Sequence, residues 1–182
     1  MLLVVAATER ELSFVGGADT LCCGVGPVEA ALATARGLAE RRPDAVLHIG
    51  IAGAASLAPL TLVIGSEAVY CDVIDPGSTF PRIERATPAP ALVAAARRAL
   101  PDARVLPIAT SGRIGAGAPF EVEAMEGFGV LRAAELAGVR AVEVRAVANA
   151  VGDDDRSLWR IDDALAALAT AVPALVEELA HA

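Results

Sequence analysis

Short runs of aliphatic and β-branched residues alternate along the chain with longer segments that carry apolar residues at helical spacing. Such runs, bounded by glycine, proline or charged residues, are typical of buried strands, and the segments between them predict amphipathic helices. Strands are predicted over residues 2–7, 21–24, 46–50, 62–69, 105–110 and 141–147. This order predicts an α/β fold in three layers (αβα), with helices on both faces of a central, largely parallel or mixed sheet.

The helices between these strands have recognisable ends. The first begins after Gly26, because Pro27 suits the first helical turn. Its apolar face is predicted to consist of Val28, Ala31, Leu32, Ala35, Leu38 and Ala39. The remaining helices are predicted over residues 90–100, over residues 120–137 and from Ser157 onward.

Length and charge limit the possible functions. A chain of 182 residues, 55% of them hydrophobic, is expected to form one domain over residues 1–182. Its net charge of −8 disfavours binding to nucleic acid or to an anionic membrane surface. Residues 45–66 contain no charged side chain, but their glycines and proline predict two strands joined by a turn, so no membrane span is expected. The amino terminus lacks the positive segment of a signal peptide, and three cysteines form no disulfide pattern, so a cytoplasmic location is predicted.

Four polar residues are candidates for a site. Glu9 and Glu11 follow the first strand, and Asn149 follows the last one, at strand ends that face the usual ligand crevice of an α/β sheet. Solvation at the surface, or a turn in the case of Asn149, is the simpler interpretation of each residue alone. Glu126 lies among small and apolar residues, where a buried carboxylate needs partners.

Two familiar kinds of site are not supported. Gly24 and Gly26 lie at a strand-to-helix turn that can bind an anion, but Glu29 stands where a dinucleotide fingerprint has glycine or alanine. A tight turn is the simpler interpretation of these glycines. His48 and His181 have no neighbours at metal-ligand spacing, so no metal is predicted.

Taken together, five motifs resemble those of the nucleoside phosphorylase/nucleosidase superfamily. They are Ala7-Thr8 with Glu11, Gly24-Val25-Gly26, His48-Ile49-Gly50-Ile51-Ala52-Gly53, Met125-Glu126-Gly127 and Val144-Arg145-Ala146-Val147-Ala148-Asn149. Within the superfamily, the Met-Glu-Gly motif, Asn149 and the residues Gly152, Arg156 and Trp159 are similar to the futalosine hydrolase family, which acts in menaquinone biosynthesis.

The resemblance implies hydrolysis of the N-glycosidic bond of a purine nucleoside, with release of hypoxanthine from futalosine and without a metal or organic cofactor. It implies that Glu11 activates water, that Glu126 binds the ribose hydroxyls and that Asn149 faces the base. Ala52, Gly53 and Met125 would also bind the substrate. The resemblance further implies a homo-oligomer, often with a partner subunit lining the pocket. Glu9 is the alternative to Glu11 as the residue that activates water.

Three alternatives stay open. A methylthioadenosine/adenosylhomocysteine nucleosidase would carry Asp where Asn149 stands, because members that cleave adenine nucleosides use an acid there. A phosphorylase would carry arginine and serine or threonine near the third strand, where His48 and Ile51 stand instead. A noncatalytic nucleoside-binding protein is the third. Residues 106–123 are shorter than the family's base-contacting region, so Arg113, Phe120 or a neighbouring subunit would complete the base-side wall.

Overall fold

The computed structural model of the chain describes residues 1–73, 77, 79–117, 119–153 and 155–182. The strands within these residues are β1 (Leu2–Ala6), β2 (Asp19–Cys22), β3 (Ala45–Ala54), β4 (Leu62–Tyr70), β5 (Arg85–Ala86), β6 (Arg104–Thr110), β7 (Val122–Ala124) and β8 (Arg140–Ala150). The α-helices are α1 (Glu9–Leu12), α2 (Pro27–Arg41), α3 (Pro90–Ala99), α4 (Gly127–Leu136) and α5 (Ile161–Ala180).

The strands form one mixed sheet that closes on itself through β8. β1 pairs in parallel with β2 and β3, and β8 pairs in parallel with β3 but antiparallel with β4. Because β6 and β7 connect β4 back to β3, five of the strands complete a ring. The side chains that pack together among these strands are small or branched, and they are Ala52, Ala54, Val63, Ile108, Val122, Ala124 and Val147.

Helices cover both faces of the sheet, so the predicted three-layer α/β fold is confirmed. α3 and α5 pack against one face through Leu92, Val172 and Leu175. α2 and α4 pack against the other face through residues that include Leu38 and Val130. Alternate residues of β1 contribute to the two cores, as the period of two along a strand requires.

The first long helix starts where the sequence predicts, but it buries a different face. Its buried residues are Ala30, Thr34, Gly37 and Leu38. By contrast, Val28 and Leu32 are each 65% exposed, so the predicted apolar face is wrong apart from Leu38 and the half-buried Ala31. The reason is close packing, since a Cβ on Gly37 would lie 2.7 Å from Leu21. Small side chains therefore face the neighbouring elements, although the larger ones dominate the hydrophobic pattern.

Two other predicted helices begin later than expected. Residues 122–124 are strand β7, because their backbone pairs with both β3 and β6, and α4 starts only at Gly127. Glu126 therefore occupies the N-cap position of α4 and is not inside a helix. In the last segment a short 3₁₀ turn spans Arg156–Leu158, and α5 begins at Ile161. The Ser157 N–H donates to Asp155, which caps this turn.

The uncharged stretch 45–66 supplies all of β3 and the first half of β4, as the sequence predicts. β3 continues beyond its predicted end at Gly50, because residues up to Ala54 pair with β8. Among the helices that the described residues form, none is both long and apolar enough to cross a membrane.

Candidate active site

A cavity of about 280 Å³ opens beside the carboxyl ends of three parallel strands, β1, β3 and β8. The six residues to which the family resemblance assigns a role all line it, and these are Glu11, Ala52, Gly53, Met125, Glu126 and Asn149. Glu9 is exposed and is not among the lining residues, so of the two glutamates Glu11 faces the cavity. Residues distant in sequence therefore meet in one hollow, as expected where parallel strands end together.

Glu11 is held in place by a capping box at the start of α1. The Thr8 N–H and hydroxyl donate to Glu11 Oε2 at 3.0 and 2.8 Å, while the Glu11 N–H donates back to Thr8 Oγ1. The second oxygen, Oε1, accepts the Ile51 N–H at 3.3 Å. The carboxylate is only 6% exposed, yet Oε1 keeps a lone pair for a further donor in the cavity.

The Glu126 side chain reaches the turn that precedes α2. The Gly26 N–H donates to Glu126 Oε1 at 3.0 Å, at the amino terminus of that helix. Gly24 and Gly26 have φ values of 79° and 94°, so the tight turn requires glycine, as the simpler interpretation of this motif predicts. The polar group bound at this helix terminus is thus the protein's own carboxylate.

Arg145 is buried behind the two glutamates. Its Nε donates to Glu143 at 2.8 Å, and Nη2 lies 3.4 Å from Glu126 Oε2. A side chain on Gly50 would collide with both Arg145 and Glu11, so the absence of a Cβ lets the guanidinium approach the Glu11 carboxylate. Burial raises the pKa of Glu143, whereas the charge of Arg145 opposes the rise.

His48 is the fourth partner of this buried cluster and does not line the cavity. Its Nδ1 lies 3.0 Å from the Val5 carbonyl, and its Nε2 contacts Arg145 Nη2. Because a guanidinium can only donate, Nε2 accepts and Nδ1 carries the proton. Burial and the neighbouring Arg145 charge hold the pKa of His48 well below its ordinary value, so the ring is neutral.

Asn149 reaches the cavity through an irregularity in the β3–β8 pair. Ala52 pairs with Val147, but Gly53 pairs with Asn149, so β8 has one extra residue there, Ala148. Such a bulge commonly redirects a side chain next to a site. Asn149 Nδ2 donates to the Ala150 carbonyl at 3.0 Å, and the side chain is mostly buried. Gly53 leaves room for it, since a Cβ there would lie 3.1 Å from Nδ2.

Residues 111–117 form a loop over the cavity, held at both ends by carboxylates. Asp72 accepts the Ser111 hydroxyl and the Gly112 N–H, the latter at 2.7 Å. Glu123 accepts the Gly115 and Gly117 N–H groups at 2.7 and 2.9 Å. The loop brings Arg113 and Ile114 to the cavity wall, whereas Phe120, the other residue considered for this wall, is not among the lining residues.

Several lining residues are not indicated by the sequence motifs. Glu123, Arg10 and Ile114 belong to this group, because isolated polar or apolar residues carry no pattern that assigns them to a site. Arg145 could have been identified from the sequence, because a charged residue inside an otherwise apolar strand needs buried partners. Trp159 lines the cavity, and its Nε1 donates to the Asp153 carbonyl at 3.1 Å.

Solved structures that resemble this chain include nucleosidases. A native futalosine hydrolase of Helicobacter pylori matches with a TM-score of 0.87 and 16% identity, over 98% of this chain and 97% of that protein. An S-adenosylhomocysteine nucleosidase from Streptococcus pyogenes, solved with 5-methylthiotubericidin, matches with a TM-score of 0.85 and 22% identity, over 98% and 96% of the two chains. At these identities the likeness establishes the fold.

Sequence comparison is more specific. A futalosine hydrolase from Streptomyces coelicolor is 37% identical over 190 aligned positions, which cover 90% of this chain and 80% of that enzyme. A second one, from Thermus thermophilus, is 31% identical and covers 85% and 79%. The family model described as the phosphorylase superfamily matches residues 20–181. The chain therefore belongs to the phosphorylase superfamily and, within it, to the family of the futalosine hydrolases.

Proposed function

We propose that the protein hydrolyses the N-glycosidic bond of futalosine and releases hypoxanthine. The observation that carries this proposal is the meeting of Glu11, Glu126 and Asn149 in one cavity of a chain that is 37% identical to a futalosine hydrolase. Cleavage of such a bond creates positive charge on the ribose and negative charge on the departing purine. In this proposal the two carboxylates act at the ribose, and the Asn149 amide acts at the purine.

Glu11 is proposed as the general base. The bond between C1′ and the purine nitrogen breaks with its electron pair leaving on the purine, and the water oxygen then bonds to C1′. Glu11 Oε1 accepts the proton that this water loses, because Oε2 is already engaged by two donors from Thr8. A proton from solvent neutralises the purine, and Glu11 releases its proton to solvent, so nucleoside and water give the free sugar and the free base and the enzyme is regenerated.

Glu126 is proposed to bind the ribose hydroxyls. Gly26 and Arg145 fix its two oxygens, and each oxygen retains capacity for one hydroxyl donor. A carboxylate that accepts from the ribose also stabilises the cationic character that the sugar acquires in the transition state. Ala52, Gly53 and Met125 complete the cavity around the substrate.

Asn149 is proposed to face the base. Its amide can donate N–H and accept through its carbonyl, which matches a 6-oxopurine edge, but it cannot release a proton as a carboxylic acid does. Hypoxanthine is therefore favoured over adenine as the leaving group, and the methylthioadenosine alternative is disfavoured.

Hydrolysis is favoured over phosphorolysis by the same cavity. His48 stands where a phosphorylase has a phosphate-binding residue, but it is buried, neutral and bonded to Arg145. Ile51, which stands at the other phosphate-binding position, has an apolar side chain that offers no donor to a phosphate ion.

The proposal is tested by incubating the protein with futalosine, methylthioadenosine and inosine, each with and without phosphate, and measuring the free base by chromatography. Hypoxanthine release from futalosine that does not depend on phosphate is the expected result. A strict requirement for phosphate would indicate a phosphorylase, and tight binding without release would indicate a noncatalytic binding protein.

We also propose that the protein is a single-domain, cytoplasmic homo-oligomer. Val25 lines the cavity and is 57% exposed, and Val28 and Leu32 on α2 extend this apolar surface. A second copy that covers the surface would bury it and close the cavity. Replacing Val28 and Leu32 together with Asp should give a monomer by size-exclusion chromatography with light scattering. An unchanged mass would assign the assembly to another surface.

A further inference from the structure

The loop of residues 111–117 presents Arg113 to the cavity wall. Arg113 lines the cavity, and among the residues that the structure describes no hydrogen bond or ion pair engages its guanidinium. The backbone that carries it is fixed, because Asp72 and Glu123 together accept four donors from the loop. A fixed backbone with an unengaged cation at a cavity wall suits recognition of a ligand.

The sheet register places this loop on the side of Asn149. Gly53 pairs with Glu123 on one side and with Asn149 on the other. Both side chains lie over Gly53, since a Cβ there would be 3.5 Å from Glu123 Cγ and 3.1 Å from Asn149 Nδ2. Glu123 in turn holds the Gly115 and Gly117 N–H groups. The loop therefore belongs to the wall that meets the purine, if Asn149 faces the base as proposed above.

A guanidinium distinguishes the two common purine edges by chemistry alone. It offers only donors, and its planar fork matches the adjacent O6 and N7 acceptors of a 6-oxopurine. Adenine presents an N6 amino donor beside N7, so one arm of the fork would meet another donor. The same charge also stabilises the electron density that moves onto the purine as its bond to C1′ breaks. Asn149 is neutral and cannot supply that charge.

We propose that Arg113 is a specificity-determining residue that reads the O6 and N7 edge of hypoxanthine and stabilises the departing base. This inference rests on the proposed nucleosidase function and adds a residue to it. It predicts that Arg113 acts on kcat as well as on KM, because the negative charge on the purine is greater in the transition state than in the bound substrate.

The test measures kcat and KM of wild type, Arg113→Ala and Arg113→Lys with futalosine, inosine and the corresponding 6-aminopurine nucleosides. In Arg113→Ala the ratio of kcat/KM for 6-oxopurine over 6-aminopurine substrates should fall about 10- to 100-fold. Arg113→Lys keeps the charge but loses the fork, so it should recover part of kcat with less of the selectivity. Calorimetry with the free bases should show weaker binding of hypoxanthine and little change for adenine.

Arg10→Ala is the matched control, because Arg10 also lines the cavity but lies on α1, ion-paired with Asp162. It should change the rates with both classes of base by the same factor. Equal losses with both bases in Arg113→Ala would overturn the inference. A loss of activity confined to futalosine and its 6-amino counterpart would also overturn the inference, because that result would assign Arg113 to the part of futalosine that inosine lacks.

The two proposals fail in different ways. If wild-type protein releases no base from any nucleoside, the proposed function fails, while the calorimetry still reports whether Arg113 selects hypoxanthine. If wild type is active and Arg113→Ala keeps its base preference in both assays, only the role of Arg113 is wrong.

Discussion

In Glu11, Oε2 accepts two donors from Thr8, whereas Oε1 accepts only the Ile51 N–H and can accept a further donor in the cavity. Replacing Glu11 with Gln keeps the size of the side chain and removes the base, so turnover of futalosine should fall about 10²- to 10⁴-fold. Binding of the nucleoside should change little, because the cavity wall stays in place. Steady-state kinetics and calorimetry on the same preparation check both parts. Turnover within a factor of about three of wild type would remove Glu11 from its role as base.

Asn149 lines the cavity and is the residue that we propose to face the departing purine. Asn149→Asp provides a group that can carry a proton, so cleavage of adenine nucleosides should rise relative to futalosine, by about tenfold or more in the kcat/KM ratio. The measurement is base release from the 6-oxo and 6-amino substrates across pH. An unchanged ratio would show that the base is selected elsewhere in the cavity.

At the scale of single residues, the carboxylates and the amide were predictable because they sit at strand ends or in unusually apolar surroundings. Glu11, Glu126 and Asn149 all line the cavity as the motifs imply. Glu123 was not predictable, because its partners are the backbone N–H groups of a glycine loop and no side-chain pattern records them.

At the scale of elements, the loop 111–117 depends on the two acceptor oxygens of Glu123. Glu123→Gln leaves one oxygen and one amide donor for the Gly115 and Gly117 N–H groups, so one of them loses its acceptor. We expect KM for futalosine to rise about tenfold with a smaller change in kcat, since a hydrogen bond to a charged group contributes about 1.5–3 kcal/mol. Amide hydrogen exchange in the loop should become faster.

Glu121→Gln is the matched control for this variant. Glu121 also accepts backbone N–H groups, from Ser56 and Leu57, but it is not among the residues that line the cavity. Its substitution should leave KM unchanged. Equal effects of the two substitutions on KM would mean that the change in the Glu123 variant comes from general destabilisation.

The elements also show where patterns mislead. Residues 122–124 fit a helical pattern, yet they form a strand because unpaired backbone on both β3 and β6 is available to them. The face of α2 was misjudged for a related reason, since burial there follows the space left by the neighbouring elements and not hydrophobicity. β1, whose five residues are all apolar and buried, was predicted well because burial on both faces leaves a continuous apolar run.

At the scale of the whole molecule, the buried cluster around Arg145 links folding to pH. The pKa of His48 is well below its ordinary value of 6.5 because burial and the Arg145 charge disfavour the imidazolium. The unfolded chain therefore binds a proton near pH 6.5 that the folded protein excludes. His48 therefore stabilises the folded protein above that pH. As the pH falls below it, the contribution of His48 to the free energy of unfolding decreases by about 1.4 kcal/mol per pH unit.

The prediction is tested by urea unfolding of wild type and His48→Gln between pH 7.5 and 5.5. The difference in unfolding free energy between them isolates His48, because Glu143, whose pKa is raised by burial, contributes a slope of opposite sign to both. Wild type should lose its advantage over the variant as the pH falls. A difference that is constant across this range would show that His48 binds a proton equally well in the folded state.

The amino-acid sequence by itself determined the fold class, the positions of the long strands and the identity of the chemical groups. It could do so because hydrophobic period and residue type are local properties of the chain. Only the tertiary structure decided which groups share the cavity, how Glu123 holds the Arg113 loop and which face of α2 is exposed. These outcomes depend on strand register, on the bulge in β8 and on close packing at glycines, which are set by contacts between distant parts of the chain.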